Sequence, residues 1–185
     1  MKTKTIAYAA LLAAIAIVIT VSGLSTLVRM PPPFSYLVFD FAEIPVLIAY
    51  MTYGLRMGVF VETIHFLFLM LRGEFIPIGP LMKYVAVIST IFGLHLSVRL
   101  KLNEYTRVVF ASIFRALIMC FFNVIVMLTF FRDFLNKIGS SLIIGLGITL
   151  AVTFIYNVIH VLFFDYPLAK IILMRIRKYR RKYRS

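Results

Sequence analysis

The sequence predicts an all-α polytopic membrane protein with six transmembrane helices and both termini in the cytoplasm. Three observations predict it. First, 62% of the 185 residues are hydrophobic and the mean hydropathy is +0.99, against about 45–50% apolar residues in soluble domains. A soluble core of this size cannot bury that excess, so the solvent is a bilayer. Second, the apolar runs divide into six segments, where a spanning helix needs roughly 20 apolar residues. The loops between them are short, so the chain reads as one domain covering residues 1–185. Third, the net charge of +13 is unevenly placed. Lys2, Lys4, Arg56, Arg99, Lys101, Arg107, Lys170 and the basic tail 175–185 fall on one side of the six-span topology. Only Arg29, Arg72, Arg132 and Lys137 fall on the other, which puts the basic side in the cytoplasm.

The predicted helices run over 5–28, 40–53, 57–71, 81–98, 105–131 and 140–174. The first is too long for a signal-peptide core and is kept as a helix. Its Ala9/Ala13 and Ala10/Ala14 pairs are small-xxx-small spacings that permit close helix contact, a partner-docking face or ordinary membrane-helix composition. Met30-Pro-Pro-Pro33 forbids helix and makes 30–38 a loop. The second helix opens on Asp40, with Glu43 three residues later, which reads as a capping box. Pro45 falls in its first turn, where a missing N–H costs little. Gly54 and Gly58 match a GxxxG spacing but lie at a break between helices, not inside an apolar twenty-mer. Gly and Pro in 72–80 mark a second outer loop, and 132–139 a third. The sixth helix is longer than a bilayer core and extends into the cytoplasm.

Ionisable and amide residues inside spans point to function or to interhelical bonds. Glu62 and His65 lie three apart on one helix face, as do Asn157 and His160. Arg115 and Asn123 share the fifth helix, Lys83 opens the fourth, and His95 lies toward its inner end. Arg115 and His95 can snorkel to headgroups. Glu62 can pair with His65 or Arg115 as a lock. Asn123 and Asn157 can be glue worth about 0.6 kcal/mol each. At similar depths they can also present donor and acceptor edges to a heterocycle.

No nucleophile elbow, HExxH or phosphate-binding glycine loop is present, so no catalytic residue is assigned and an enzyme is not expected. Cys120 stands alone, and no Cys/His spacing suits a metal. The basic tail is read as orienting the chain and contacting anionic lipid, not nucleic acid.

Several stretches together resemble the substrate-binding S components of energy-coupling factor vitamin transporters, and within them the riboflavin-specific branch. Phe39-Asp-Phe-Ala-Glu-Ile-Pro45 is similar to that branch's hydrophobic-Asp-Phe-Ser-Asp-Ile-Pro, with Ala42 and Glu43 replacing Ser and Asp. Tyr53-Gly54 followed by Gly58-Val-Phe-Val-Glu62 is similar to its turn and Gly-Val-x-Val-Glu-x-x-Lys, with His65 in place of lysine. Ile78-Gly-Pro80 with Lys83, then Asn123, and then Tyr156-Asn157-x-x-His160 complete the likeness, His160 again standing for lysine. The resemblance implies a prokaryotic plasma-membrane protein with riboflavin as transported ligand and no cofactor. It also implies that Asn123, Asn157 and His160 read the ring, that Tyr36, Phe39 or Tyr84 stacks on it, and that Asp40, Glu43 and Lys83 meet the ribityl hydroxyls. The loops 30–38 and 72–79 would be lids. Ala9, Ala10, Ala13 and Ala14 would dock on a transmembrane coupling subunit, with two ATPases supplying energy. The lysine-to-histidine changes leave another vitamin or precursor open, such as pantothenate or a pyrimidine. Two further readings are a small membrane enzyme using Glu62, His65 and Arg115, and a structural subunit of a larger membrane complex.

Overall fold

The computed structural model describes residues 3–24 and 28–182, with side chains described through residue 178. Within these the fold is all-α apart from one isolated β-bridge, Arg29 to Val38. Lys2, part of the basic inner side, lies outside the described residues.

Helix α1 spans Thr3–Val21. It stops short of the predicted residue 28 because Ser22 returns its hydroxyl to Ile19 O (2.8 Å) and Gly23 takes φ +74°, a left-handed stop. Residues 25–27 of the predicted helix lie outside the described residues. The chain then forms a loop closed by Met30 N–H to Leu37 O (3.0 Å) and Phe39 N–H to Val28 O (2.9 Å).

Helix α2 is Glu43–Tyr53, not 40–53. The expected capping box does not form. Asp40 sits two residues ahead of the helix, where its Oδ1 accepts the Ala42 N–H at 2.8 Å, the local turn a short acidic side chain favours. Ala42 is the N-cap without a side-chain bond, and Glu43 is drawn across the bundle instead. Every residue from Glu43 to Ala49 is buried, which makes α2 the central helix and explains its all-round apolar sequence. Gly54, at φ +87°, is the single residue between α2 and α3 (Leu55–Arg72). A Cβ on Gly58 would lie 2.9 Å from Tyr50 Cβ. The two glycines of the GxxxG spacing therefore serve a turn and a close approach within the chain.

Helix α4 is Ile78–Arg99 and α5 is Glu104–Phe130, capped by Asn103 accepting the Thr106 N–H (2.9 Å). On α5, Ile113, Leu117, Phe121 and Ile125 form an exposed apolar stripe at four-residue spacing. Arg115, Met119, Asn123 and Met127 form a buried stripe at the same spacing. One face thus meets lipid and the other the bundle. A short helix α6, Arg132–Ile138, occupies the predicted third loop and seats Leu135 against α7. Helix α7 (Leu142–Ile159), a π segment (His160–Asp165) and α8 (Tyr166–Lys182) run on without a break. This replaces the predicted 140–174 helix and carries it two turns further.

The stretches Thr3–Val21, Ile78–Arg99, Glu104–Phe130 and Leu142–Lys178 are long and apolar enough to cross a membrane. Helix α2, with 11 residues, is only about 16 Å long, and α3 carries Arg56, Glu62, His65 and Arg72. The core lies where α2, α3, α4 and α5 meet, around Val46, Leu47, Val61, Ile91 and Ala111. Ala9 and Ala13 of α1 belong to it, at 1% and 2% exposure. They are thus taken up inside the chain, whereas Ala10 and Ala14 are exposed.

Candidate ligand-binding site

A cavity of about 740 Å³ opens at the end of the bundle that carries the loops 28–42 and 73–77. The four-residue stripe of α5 brings Arg115, Met119, Asn123 and Met127 to one wall. Helix α7 brings Thr153, Tyr156 and Asn157, which share a face by their three- and four-residue spacing. Asp40, Glu43 and Lys83 also line it, with Arg29, Tyr36, Arg72 and Glu74.

The floor is a hub around Arg115. Its Nη1 donates to Glu43 Oε2 (2.6 Å) and its Nη2 to Glu43 Oε1 (3.2 Å), a bidentate carboxylate pair. Nη1 also reaches Thr90 Oγ1 and Asp165 Oδ2, both at 3.3 Å. Nε donates to Asn157 Oδ1 (2.8 Å). His160 lies with Nδ1 3.0 Å from Arg115 Nη2 and Nε2 accepting the Asp40 N–H at 3.2 Å. Glu43, His160 and Asp165 each offer an atom within 4.8 Å of the others, an arrangement able to surround a cation. The Arg115 guanidinium already lies among them. The π segment makes this possible, because its wider turn sets His160 and Asp165 side by side, with Nε2 to Oδ1 at 3.6 Å.

Above the floor the polar groups are less committed. Lys83 pairs with Asp40. Asn123 donates to Met119 O (3.0 Å) and makes no other side-chain bond among the described residues. Asn157 donates to Thr153 O (2.8 Å), so each amide keeps a spare donor and acceptor. Thr153 Oγ1 is buried and makes no hydrogen bond of ordinary geometry among the described residues, with the Tyr36 hydroxyl as its polar neighbour. At the mouth, Arg29 pairs with Glu74 at 2.8 Å and so ties the two loops together. Arg72 makes no ion pair among the described residues.

Of the residues expected to contact a ligand, Asn123, Asn157, Asp40, Glu43, Lys83 and Tyr36 line the cavity. Three do not. His160 is 1% exposed and lies behind Asp40 in the hub. Phe39 packs on Phe164 and Tyr156, with ring centroids 4.7 and 5.0 Å apart, because Asp40 is not helical and the residue before it turns inward. Tyr84 faces α3, against Phe66 (4.8 Å) and Thr63 Oγ1 (3.3 Å), and borders a shallow groove between α4 and α5. Thr20, Arg115, Thr153 and Tyr156 line the cavity without having been picked out as ligand contacts. The spacing of Thr153 to Asn157 on one helix face was the available signal.

A second buried cluster holds α1 to α3. His65 lies with Nδ1 3.4 Å from Glu62 Oε2 and Nε2 2.9 Å from Thr20 Oγ1. Glu62 pairs with His65 and not with Arg115, whose bonds all go to the hub. The three residues considered for catalysis therefore do not assemble.

No protein-family model and no characterised sequence matches the chain. In fold it is similar to a solved S component of a bacterial ECF transporter, with a TM-score of 0.68 and 22% identity over 99% of this chain and 98% of that one. At that identity the likeness establishes the fold.

Proposed function

We propose that the chain is a substrate-binding S component of a bacterial energy-coupling factor transporter and that it captures riboflavin. The observation that carries this reading is the cavity. At about 740 Å³ it falls in the size range of small-molecule sites, roughly 300–1,000 Å³. Its walls combine apolar surface with amides and a hydroxyl that have bonds to spare. Asn123 and Asn157 suit the alternating donors and acceptors of a flavin ring, and Asp40, Glu43 and Lys83 suit ribityl hydroxyls. The cavity faces outward across a six-span topology with both termini inside, in the plasma membrane. The loops 28–42 and 73–77 act as lids, and the Arg29–Glu74 pair is a contact between them. Ala10 and Ala14 remain on the outer face of α1 to meet a transmembrane coupling subunit, and two ATPases supply energy.

The placement of His160 and Phe39 away from the cavity favours a second reading in the same class. Without them the ring-reading set is smaller, which suits a pantothenate-like or pyrimidine ligand. One experiment decides between the two. Purified protein stripped of ligand is titrated with riboflavin, pantothenate and pyrimidines while its unfolding is followed. The ligand that binds stabilises it by about 2.7 kcal/mol at a hundredfold excess over Kd. Flavin absorbance in the unstripped protein supports riboflavin. Colourless protein that riboflavin does not stabilise rejects it, and silence across the whole panel rejects the vitamin-binding reading.

A further inference from the structure

The last turns of α8 are basic and have no acidic counterpart among the described residues. From Tyr166 to the end of the sequence there is no Asp or Glu. Arg175, Arg177 and Lys178 are exposed, and Arg180, Arg181 and Lys182 continue the same helix. Just upstream the charge is matched, since Lys170 pairs with Glu104 and Tyr166 donates to that carboxylate at 2.9 Å. These bonds fix α8 beside the start of α5. The neighbouring α4–α5 turn exposes Arg99 and Lys101 as well.

The position of the basic run relative to a bilayer follows from what precedes it. Ile171, Ile172, Met174 and Ile176 are all 40–52% exposed and lie on several sides of the helix. Apolar side chains distributed in this way fit hydrocarbon rather than water. The hydrocarbon boundary therefore lies near Ile176. The six residues that follow rise about 9 Å, and the headgroup layer on each side of the core is roughly 5–8 Å thick. Arg177 and Lys178 fall within that layer, which favours lipid headgroups as their partner. Each Lys or Arg near such a surface raises the affinity for anionic lipid by roughly fivefold.

We propose that the C-terminal part of α8 is a docking surface for the headgroups of anionic phospholipids in the adjacent leaflet. The test is native mass spectrometry of the full chain in an equal mixture of phosphatidylglycerol and phosphatidylcholine. Wild type retains phosphatidylglycerol adducts in at least fivefold excess, and the R175Q/R177Q/K178Q variant loses the preference. Should that variant unfold in phosphatidylcholine alone, R177Q by itself is expected to lower the preference roughly fivefold. The proposal is overturned if the variants keep the wild-type preference, or if inorganic phosphate stabilises the protein as well as phosphatidylglycerol does. It is also overturned, in favour of a protein partner, if polyglutamate binds wild type in the presence of excess phosphatidylglycerol.

Discussion

The two buried polar clusters of this bundle are completed to different degrees. Around Arg115, the guanidinium is bound by Glu43, Asp165, Thr90 and Asn157 and touches His160, so it joins α2, α4, α5, α7 and the π segment. Between α1 and α3, Glu62, His65 and Thr20 form a chain of two contacts, and Glu62 Oε1 is buried without a partner among the described residues. Both clusters are buried, with Glu62 and His65 at 0% exposure and Arg115 at 2%. In low dielectric a satisfied network holds elements together, whereas a partly satisfied one adds little net stability. The hub therefore fixes the cavity floor, and the α1–α3 cluster is the looser joint. Helix α1 otherwise rests on Ala9, Ala13 and Ala16, with Leu12 and the Tyr8–Tyr53 ring contact beside them.

The largest expected effect follows from breaking the hub. Arg115→Met leaves Glu43 and Asp165 facing each other without a cation, and is expected to cost about 3–5 kcal/mol. The unfolding of detergent-solubilised protein would show it, and binding of the proposed riboflavin ligand should be lost with it. Arg115→Lys should not rescue stability, because a point charge cannot replace the bidentate fork. Unfolding at the wild-type temperature for Arg115→Met would mean that the hub does not hold the floor.

The α1–α3 cluster should respond less. His65→Ala leaves Glu62 and the Thr20 hydroxyl without their partner, at a cost of about 1–3 kcal/mol. Glu62→Gln keeps the shape and an oxygen for His65, so its effect should lie within about 1 kcal/mol of zero. Equal losses in the hub and in this cluster, read from the same unfolding curves, would remove the distinction between them.

Much of this was legible in the sequence, and the remainder has physical reasons. The apolar runs located most of the long helices, and the ionisable residues inside them named most members of both clusters. Asn123 and Asn157 were placed at a common depth by counting residues. The pairing of Arg115 was not legible, since an arginine in an apolar run can snorkel as readily as it can bond Glu43, 72 positions away. The π segment has no distinguishing composition, and α6 is only seven residues long, too short for a periodic pattern to register. Phe39 and His160 lie off the cavity for separate reasons: Phe39 packs on Phe164 and Tyr156 beside a turn in which Asp40 bonds the Ala42 N–H, and His160 sits in the π segment against Arg115.

The cavity hydroxyl of Thr153, signalled only by its four-residue spacing to Asn157, gives the finest test of what separates a completed site from an open one. Thr149 and Thr63 return their hydroxyls to the carbonyl four residues back, at 2.8 Å each, which is the ordinary behaviour of threonine in a helix. Thr153 lies on the same helix as Thr149, yet its Oγ1 makes no hydrogen bond of ordinary geometry among the described residues, and its polar neighbour is the Tyr36 hydroxyl across the cavity. A buried hydroxyl in that state costs stability in the empty protein and regains it only when a ligand arrives. Thr153→Val keeps the shape and removes the hydroxyl. The ligand-free protein is therefore expected to be as stable as wild type, or more stable by about 1 kcal/mol, while riboflavin affinity falls roughly fivefold to tenfold. Thr149→Val should leave affinity unchanged. A Thr153→Val protein that loses stability yet titrates with riboflavin like wild type would place the partner of that hydroxyl inside the chain rather than on the ligand.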